Sequence, residues 1–485
     1  MLDFLDSANP LVKYHAHIWI TETYPAFHRI LNPVLEILLR PRDCWYRTPQ
    51  GQFVFAVAPD TALLLRTLRH LKSFLRLVPE QFNKFALKPL TPRILPAYLI
   101  FKGEDPAADH PEVPYAAPLF ELVVRLTESK LVGGDNCGVD LAACELLEVA
   151  VQAISAPELG NALLRDHFRS LLRAVHFATI NNEHLLQIQL LELLRLLLSG
   201  KVGEGKVLRE VIAGTDLVST VLEGVGCSFP YVKQRFVRFL NECVPLLLES
   251  APACAEAVSR VLNTFTTKIA YVNSKKVEAS SLKDLQISQK NAEILILFEG
   301  IKDLLANFLQ LTLRPFEKER NQHDTDSGLF CFYSWKSYIA LKIEPRPDAR
   351  ARKLQDDIAK QIINELPSLI AIMAACWTLS ELRPHYGLSR EGLALFNYEA
   401  FLDYNKALGA AQSRLETEES VEAFIVGFLR VLLNAYPWET MRAIVTCWSL
   451  ASKDVETRLR LLELLVFSGL PVQNFYCVMA ESLSP

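Results

Sequence analysis

The chain has 485 residues, of which 50% are hydrophobic and 22% are charged, and this composition excludes a chain that stays disordered. Its 51 Lys and Arg residues against 55 Asp and Glu give a formal net charge of -4, which excludes a general long-range attraction to nucleic-acid phosphates. A chain of this length exceeds what one compact core usually organises. We therefore expect several domains or an elongated repeat array.

Cysteine spacing and the N-terminus indicate the compartment. The ten cysteines are scattered, with no C-x-x-C pair and no histidine pair spaced to complete a zinc site, so we expect free thiols and no metal or other cofactor. Residues 1–6 carry acids where a signal peptide needs basic residues. The longest apolar run, 369–377, is about half of the roughly 20 residues that cross a bilayer. These features predict a cytoplasmic protein whose membrane contact is peripheral.

Helical periodicity runs through nearly the whole chain. Apolar residues recur at spacings of three and four, as in the series Leu186, Leu190, Leu193 and Leu197. Capping residues such as Asp140 and Asn182 predict helix starts, and Gly200, Gly224 and Gly469 predict helix ends. Most breaks are short, which places successive helices antiparallel. We therefore predict an all-α fold, an irregular HEAT- or armadillo-like α-solenoid of stacked antiparallel helix pairs.

One charged segment predicts a domain boundary. Residues 317–328 are polar, unpatterned and nearly free of apolar side chains. We expect them to form a linker between an N-terminal helical-repeat region, 1–316, and a C-terminal one, 329–485. A weak internal echo, Cys376-Trp377 and Cys447-Trp448, is compatible with repeats in the second region.

No motif in the sequence predicts a catalytic site. Residues 200–207 match G-x-x-x-x-G-K of a phosphate-binding loop, but Val207 stands where a Ser or Thr hydroxyl should hold magnesium. The segment also follows a leucine-rich helix, whereas a nucleotide site needs the loop between a strand and a helix. No H-E-x-x-H or G-x-S-x-G motif occurs, and no Cys, Ser or Lys has an evident nearby base. We therefore expect a protein that is not an enzyme.

A basic stripe is the candidate binding site. Between residues 60 and 93 seven basic residues stand against only two acids, and four of them step at helical spacing opposite Leu64, Leu68, Leu71 and Leu75. Such a stripe is either the solvated face of a scaffold helix or a contact for anionic lipid or an acidic partner, for which nearby Phe74, Phe82 and Phe85 would add apolar contacts. The seven basic residues are Arg66, Arg69, Lys72, Arg76, Lys84, Lys88 and Arg93.

The N-terminal segment resembles a known family. It reads N-P-L-V-K at 9–13, W-I at 19–20 and Y-P-A-F-H-R-I-L-N-P-V-L-E-I-L-L at 24–39. This pattern of a tryptophan-containing helix, a proline turn and a leucine-rich helix is similar to a segment of the Dopey family. The resemblance implies a peripheral membrane scaffold of traffic between endosomes and Golgi, which works with a second large helical-repeat protein. It implies no catalytic residue.

Together these observations predict a non-enzymatic helical-repeat scaffold in vesicle traffic. We expect it to bind protein partners, among them another large helical-repeat scaffold, and to meet anionic phospholipid or phosphoinositide on Golgi or endosome membranes. Nucleic acid is not an expected partner. Two alternatives stay open: a helical hydrolase or transferase whose site is assembled from distant helices, and a nuclear or RNA-processing solenoid adaptor with a basic surface.

Overall fold

In the computed structural model of the chain, the described residues are Phe4, 7–22, 61–131, 138–227, 229–276, 283–323, 349–377 and 420–468, apart from isolated positions, with short pieces within 32–55 and 406–415. They are predominantly helical, as predicted. The helices are α1 Pro10–Glu22, α2 Thr61–Leu77, α3 Pro79–Ala86, α4 Leu95–Lys102, α5 Ala116–Glu128, α6 Val139–Ala153, α7 Pro157–Ile180, α8 His184–Leu198, α9 Gly205–Ala213, α10 Leu217–Val225, α11 Pro230–Glu249, α12 Pro252–Ser274, α13 Lys283–His323, α14 Ala349–Cys376, α15 Val421–Ala435, α16 Pro437–Leu450 and α17 Val455–Phe467.

The chain divides into two compact units, Met1–Ser250 and Ala251–Pro485. The predicted linker, 317–328, falls inside the second unit. Its residues 317–323 form the end of α13, because leucine-rich periodicity upstream continues the helix into the charged segment. Residues 324–328 lie outside the described residues, so a linker there stays a prediction.

In the first unit, helices close in sequence contact one another. Helix α5 contacts α6 and α7, and α7 contacts α8, α9 and α10. Helix α6 contacts α2, α3 and α8, while α11 contacts α8, α9 and α10. The core consists mainly of leucine, valine and phenylalanine from these interfaces, such as Leu163, Phe168 and Leu190, all fully buried. Removing such side chains from water is the main stabilising contribution.

The second unit is built in the same manner. Helix α12 contacts α13 and α14, and α14 contacts α15, α16 and α17. Both cysteines of the Cys-Trp echo are buried here, on neighbouring helices, but their tryptophans differ. Trp377 is fully buried and donates through Nε1 to Glu463 Oε2 at 2.5 Å, whereas Trp448 is half-buried under the guanidinium of Arg458. In both segments the cysteine is buried, whereas the two tryptophans differ in burial and in the residue they contact.

A short three-stranded sheet accompanies the helices in the first unit, which the helical pattern did not predict. Strand β1, Trp45–Arg47, pairs antiparallel with β2, Phe53–Phe55, and β2 pairs parallel with β3, Lys130–Leu131. Strands of two and three residues are too short to show a period of two in sequence, although the aromatic residues of β1 and β2 favour extended backbone.

Two predicted helix starts and one predicted end are wrong in detail. Helix α6 is capped by Gly138, and Asp140 lies in its first turn; helix α8 begins at His184, two residues after Asn182. Gly224 does not end α10 but lies in its last turn. A Cβ at this position would stand 2.1 Å from the ring of Phe236 on α11. The glycine serves close helix packing. Gly200 and Gly469 lie outside the described residues.

Candidate interaction surface

Helix α2 separates apolar from basic residues as the sequence predicts. Leu64, Leu68, Leu71 and Leu75 are all buried, and the helix contacts α3 and α6. Side chains three and four residues apart lie on the same helix face, so the leucines form one buried stripe and the opposite face meets solvent. On that opposite face lie Arg66, Arg69 and Arg76, which are all exposed. We call these three arginines the α2 stripe.

The sequence analysis placed Lys72 in one basic stripe with these arginines, but its side chain turns toward α6. Its ammonium pairs with the carboxylate of Glu145, and the lysine side chain is only 21% exposed. Helix α6 carries Asp140, Glu145 and Glu148 and no lysine or arginine. The acidic helix α6 therefore lies beside α2, and its Glu145 neutralises Lys72.

The remaining predicted residues lie beyond α2. Lys84 and Lys88 are exposed at the end of α3, and the Lys88 ammonium lies 5.9 Å from the centre of the Phe85 ring. Arg93 is exposed but makes a two-pronged ion pair with Glu36, with Nε to Oε1 at 2.5 Å and Nη2 to Oε2 at 3.2 Å. Bidentate pairing holds a guanidinium in a fixed orientation. Arg93 thus links the segment around residue 36 to the rest of the first unit.

The three phenylalanines near the stripe belong to the core. Phe74 and Phe82 are each 1% exposed and Phe85 is 7% exposed. The expectation that they would add apolar contacts to a lipid surface is therefore wrong, because the same helical period that exposes the arginines buries these rings. A contact made by the α2 stripe would therefore be electrostatic, and salt screens such contacts.

An asparagine that the sequence analysis did not single out fixes α3 in place. Asn83 is buried, and its Nδ2 donates to the carbonyls of Pro79 and Ala153 at 2.8 and 2.6 Å. Its Oδ1 accepts from the backbone amides of Ser155 and Ala156 at 2.8 and 3.1 Å. All four hydrogen-bonding positions of the amide are used, which is what burial of an asparagine requires. The only sequence signal was its place on the apolar face of α3, between Phe82 and Phe85.

The segment that matches a phosphate-binding loop has the wrong surroundings for one, as predicted. It follows α8, a helix, and α9 begins at Gly205. The Val207 side chain is buried, and a valine offers no oxygen for magnesium.

The described residues line shallow cavities. One of about 270 Å³ lies between α7 and the turn before α10 and is lined by Arg169, Arg173, His176, Thr215, Asp216 and Thr220. Its His176 lies 2.5 Å from Glu223, and Arg169 donates to the Gly214 carbonyl. In the part of the chain that the structure describes, no three His, Cys, Asp or Glu residues come together as metal ligands. The enzyme alternative stays a hypothesis.

Comparison with known proteins does not test the resemblance to the Dopey family. No protein-family model matches the chain, and no curated protein matches it either. Of the segment resembling the Dopey family, the structure describes α1 and Asn32, Leu35, Glu36 and Leu39. Membership of that family stays a prediction. Among the described helices, none has the length and apolarity that crossing a membrane demands.

Proposed function

We propose that the protein is an α-solenoid scaffold of intracellular membrane traffic that binds protein partners and meets anionic phospholipid through the α2 stripe. The observation that supports this most directly is the order of helix contacts in the first unit. Helices α2, α6, α8 and α11 follow one another as neighbours, and so do α5, α7 and α10. Two such rows, joined pairwise by α5–α6, α7–α8 and α10–α11 contacts, support the proposal of stacked helix pairs.

This arrangement supports a binding function because a row of helices presents a long surface made of many similar ridges. Scaffolds of this kind hold partners on such surfaces without a catalytic pocket. The link to membrane traffic between endosomes and Golgi rests on the resemblance of residues 9–39 to the Dopey family. A second helical-repeat protein is the partner which that resemblance implies.

The α2 stripe supports contact with an anionic surface. Arg66, Arg69 and Arg76 are exposed on one face of a helix whose other face is anchored in the core. Basic residues near an anionic leaflet contribute about 1 kcal/mol each. Since Phe74, Phe82 and Phe85 are buried, we expect weak and salt-dependent binding that needs a second attachment, which a protein partner would supply.

Liposome co-sedimentation tests the lipid contact. The purified chain is mixed with vesicles of phosphatidylcholine alone, with phosphatidylserine, and with phosphatidylinositol 4-phosphate, at low and at high salt. We expect binding to the two anionic compositions at low salt only. The variant with Arg66, Arg69 and Arg76 changed to Glu should lose it.

A matched control carries the same change in net charge elsewhere. Arg165, Lys206 and Arg238 are exposed on α7, α9 and α11, and changing them to Glu should leave vesicle binding nearly intact. Equal loss in both triple variants would show that net charge alone decides binding, and no binding to any anionic vesicle would remove lipid from the proposal. Binding of single-stranded RNA that the α2 variant abolishes would favour the RNA-processing alternative instead.

A further inference from the structure

A cysteine and a histidine distant in sequence meet in the first unit. Cys227 follows the end of α10, and His184 is the first residue of α8. The Cys227 sulfur lies 3.7 Å from Nδ1 of His184. Sequence spacing showed no base near any cysteine, because 43 residues separate this pair along the chain. A thiol beside an imidazole is the arrangement that activates cysteine as a nucleophile.

The backbone around Cys227 also donates a hydrogen bond to the sulfur. The amide of Phe229 donates to the sulfur at 3.4 Å, and the Phe229 carbonyl accepts from Lys233 in the first turn of α11. The sulfur therefore lies at the N-terminus of a 20-residue helix, where backbone amides carry partial positive charge. The imidazole stacks on the Phe229 ring, with centres 5.3 Å apart, which fixes its orientation.

Gln187 completes the cluster from the buried side. It is 0% exposed, and its Oε1 lies 3.1 Å from the same Nδ1 that faces the sulfur. A carbonyl oxygen only accepts hydrogen bonds, so this contact becomes a hydrogen bond once Nδ1 has taken up the thiol proton, and it then holds the imidazolium. Among the described residues, Nε2 of this amide has no hydrogen-bond partner. Within the described part of the chain, the cluster thus contains a buried amide donor without a hydrogen-bond partner.

Cys447, in the second unit, provides a contrast within the same chain. Both cysteines are 7% exposed. The Cys447 thiol donates its hydrogen to the carbonyl of Pro367 at 3.2 Å, an interaction that keeps the thiol protonated, and burial raises its pKa to about 11. Backbone hydrogen bonds at Ala371 and Cys447 oppose this rise only in part, and what sets Cys227 apart is the imidazole of His184 beside its sulfur.

From this geometry we propose that Cys227 is a site of modification by hydroperoxides, with His184 as its proton acceptor. The thiol proton moves to Nδ1, and the sulfur attacks one peroxide oxygen, so that an S–O bond forms as the O–O bond breaks. The departing oxygen takes the proton and leaves as water. Sulfur is oxidised by two electrons to sulfenic acid while the peroxide is reduced. Nε2 of Gln187 then donates to the new oxygen. Cys227 keeps 7% exposure and Phe229 beside it is 51% exposed, so the cluster lies close to solvent, as the approach of a molecule as small as hydrogen peroxide requires.

Peroxide titration with site-resolved labelling tests this. The reduced full chain is treated with hydrogen peroxide in the presence of dimedone, which traps sulfenic acid, and the peptides containing Cys227 and Cys447 are quantified by mass spectrometry. We expect Cys227 to be labelled at least about tenfold faster than Cys447, because thiolates and not thiols react. This comparison needs no variant and holds exposure constant.

Two histidine variants locate the cause. His184→Asn should slow labelling of Cys227 about tenfold and leave Cys447 unchanged, since it removes the proton acceptor. His176→Asn, on the neighbouring α7, should change neither rate. Equal labelling of the two cysteines in the native chain would overturn the proposal, as would an unchanged Cys227 rate in the folded His184→Asn variant. A rise in the labelling of Cys144, which is fully buried in the first unit, would reveal unfolding of that unit in the variant, and the native comparison would then decide alone.

Discussion

Replacing Asn83 by alanine should loosen the junction between α3 and the turn that joins α6 to α7. The substitution removes four hydrogen bonds, two donated to the carbonyls of Pro79 and Ala153 and two accepted from the amides of Ser155 and Ala156. A net contribution of about 1 kcal/mol for each bond gives an upper value of about 4 kcal/mol. The Pro79 carbonyl lies in the first turn of the same helix, where backbone bonding replaces part of the loss. We therefore expect destabilisation of about 3 kcal/mol.

Hydrogen exchange measures this effect where it arises. The amides of Ser155 and Ala156 should lose protection in the Asn83→Ala variant, while urea unfolding followed by circular dichroism reports the change in unfolding free energy of the first unit. Asn83→Asp keeps both acceptor contacts but places a carboxylate oxygen against two carbonyls. It should therefore retain amide protection and still be destabilised.

Asn161 provides the control for Asn83. It accepts one hydrogen bond, at a solvent-exposed position, from the Glu204 amide at 2.8 Å, so that its alanine variant should cost less than about 1 kcal/mol. If Asn83→Ala proved no more destabilising than Asn161→Ala, or left both amides protected, the described network would not be what holds α3.

Four further substitutions test helix packing, a buried hydrogen bond and a buried thiol. Gly224→Ala should destabilise the first unit by about 1–3 kcal/mol, because the added methyl overpacks the contact with α11. Gly427→Ala adds a methyl group at an exposed helix position with open space, and it should stabilise the second unit by up to about 1 kcal/mol. Urea unfolding measures both changes in unfolding free energy. Trp377→Phe removes the hydrogen bond to Glu463 and should lower the unfolding free energy by about 2 kcal/mol in the same assay. A loss no larger than that of a surface substitution would show that this hydrogen bond does not stabilise the second unit. Burial raises the pKa of Cys447 from its ordinary 9.0 to about 11, so the folded state holds that proton more tightly. The stabilising contribution of the Cys447 thiol is complete below pH 9 and is lost as the pH rises through 11. The urea midpoint should therefore fall across this range, and Cys447→Ala should make that fall smaller.

Periodicity predicted what is local. The leucines of α2 are buried and the arginines between them are exposed, because side-chain direction along a helix follows from spacing alone. The three phenylalanines nearby could have been assigned to the core by the same rule. Their interpretation as lipid contacts counted aromatic residues near basic ones without asking which face each occupied.

Contacts between distant segments could not be predicted from one sequence. The ion pair between Lys72 and Glu145 joins residues 73 apart, and the pairing of Arg93 with Glu36 joins residues 57 apart. Which exposed lysine meets which acid depends on how helices stack, and no local pattern encodes it. The pair formed by Cys227 and His184 was missed for the same reason, although each residue alone was visible.

The order of helix contacts also bears on how the first unit folds. Most helices there touch partners only one to three elements away in the chain, as α7 touches α8, α9 and α10. Chains whose contacts are local close only short loops on the way to the native state and fold quickly. The stacked helix pairs proposed above imply that formation can start at any adjacent hairpin and spread to its neighbours, and that unravelling under load begins at an end and proceeds pair by pair. A ribosome-bound chain could thus build the unit progressively, each new hairpin docking on the one completed before it.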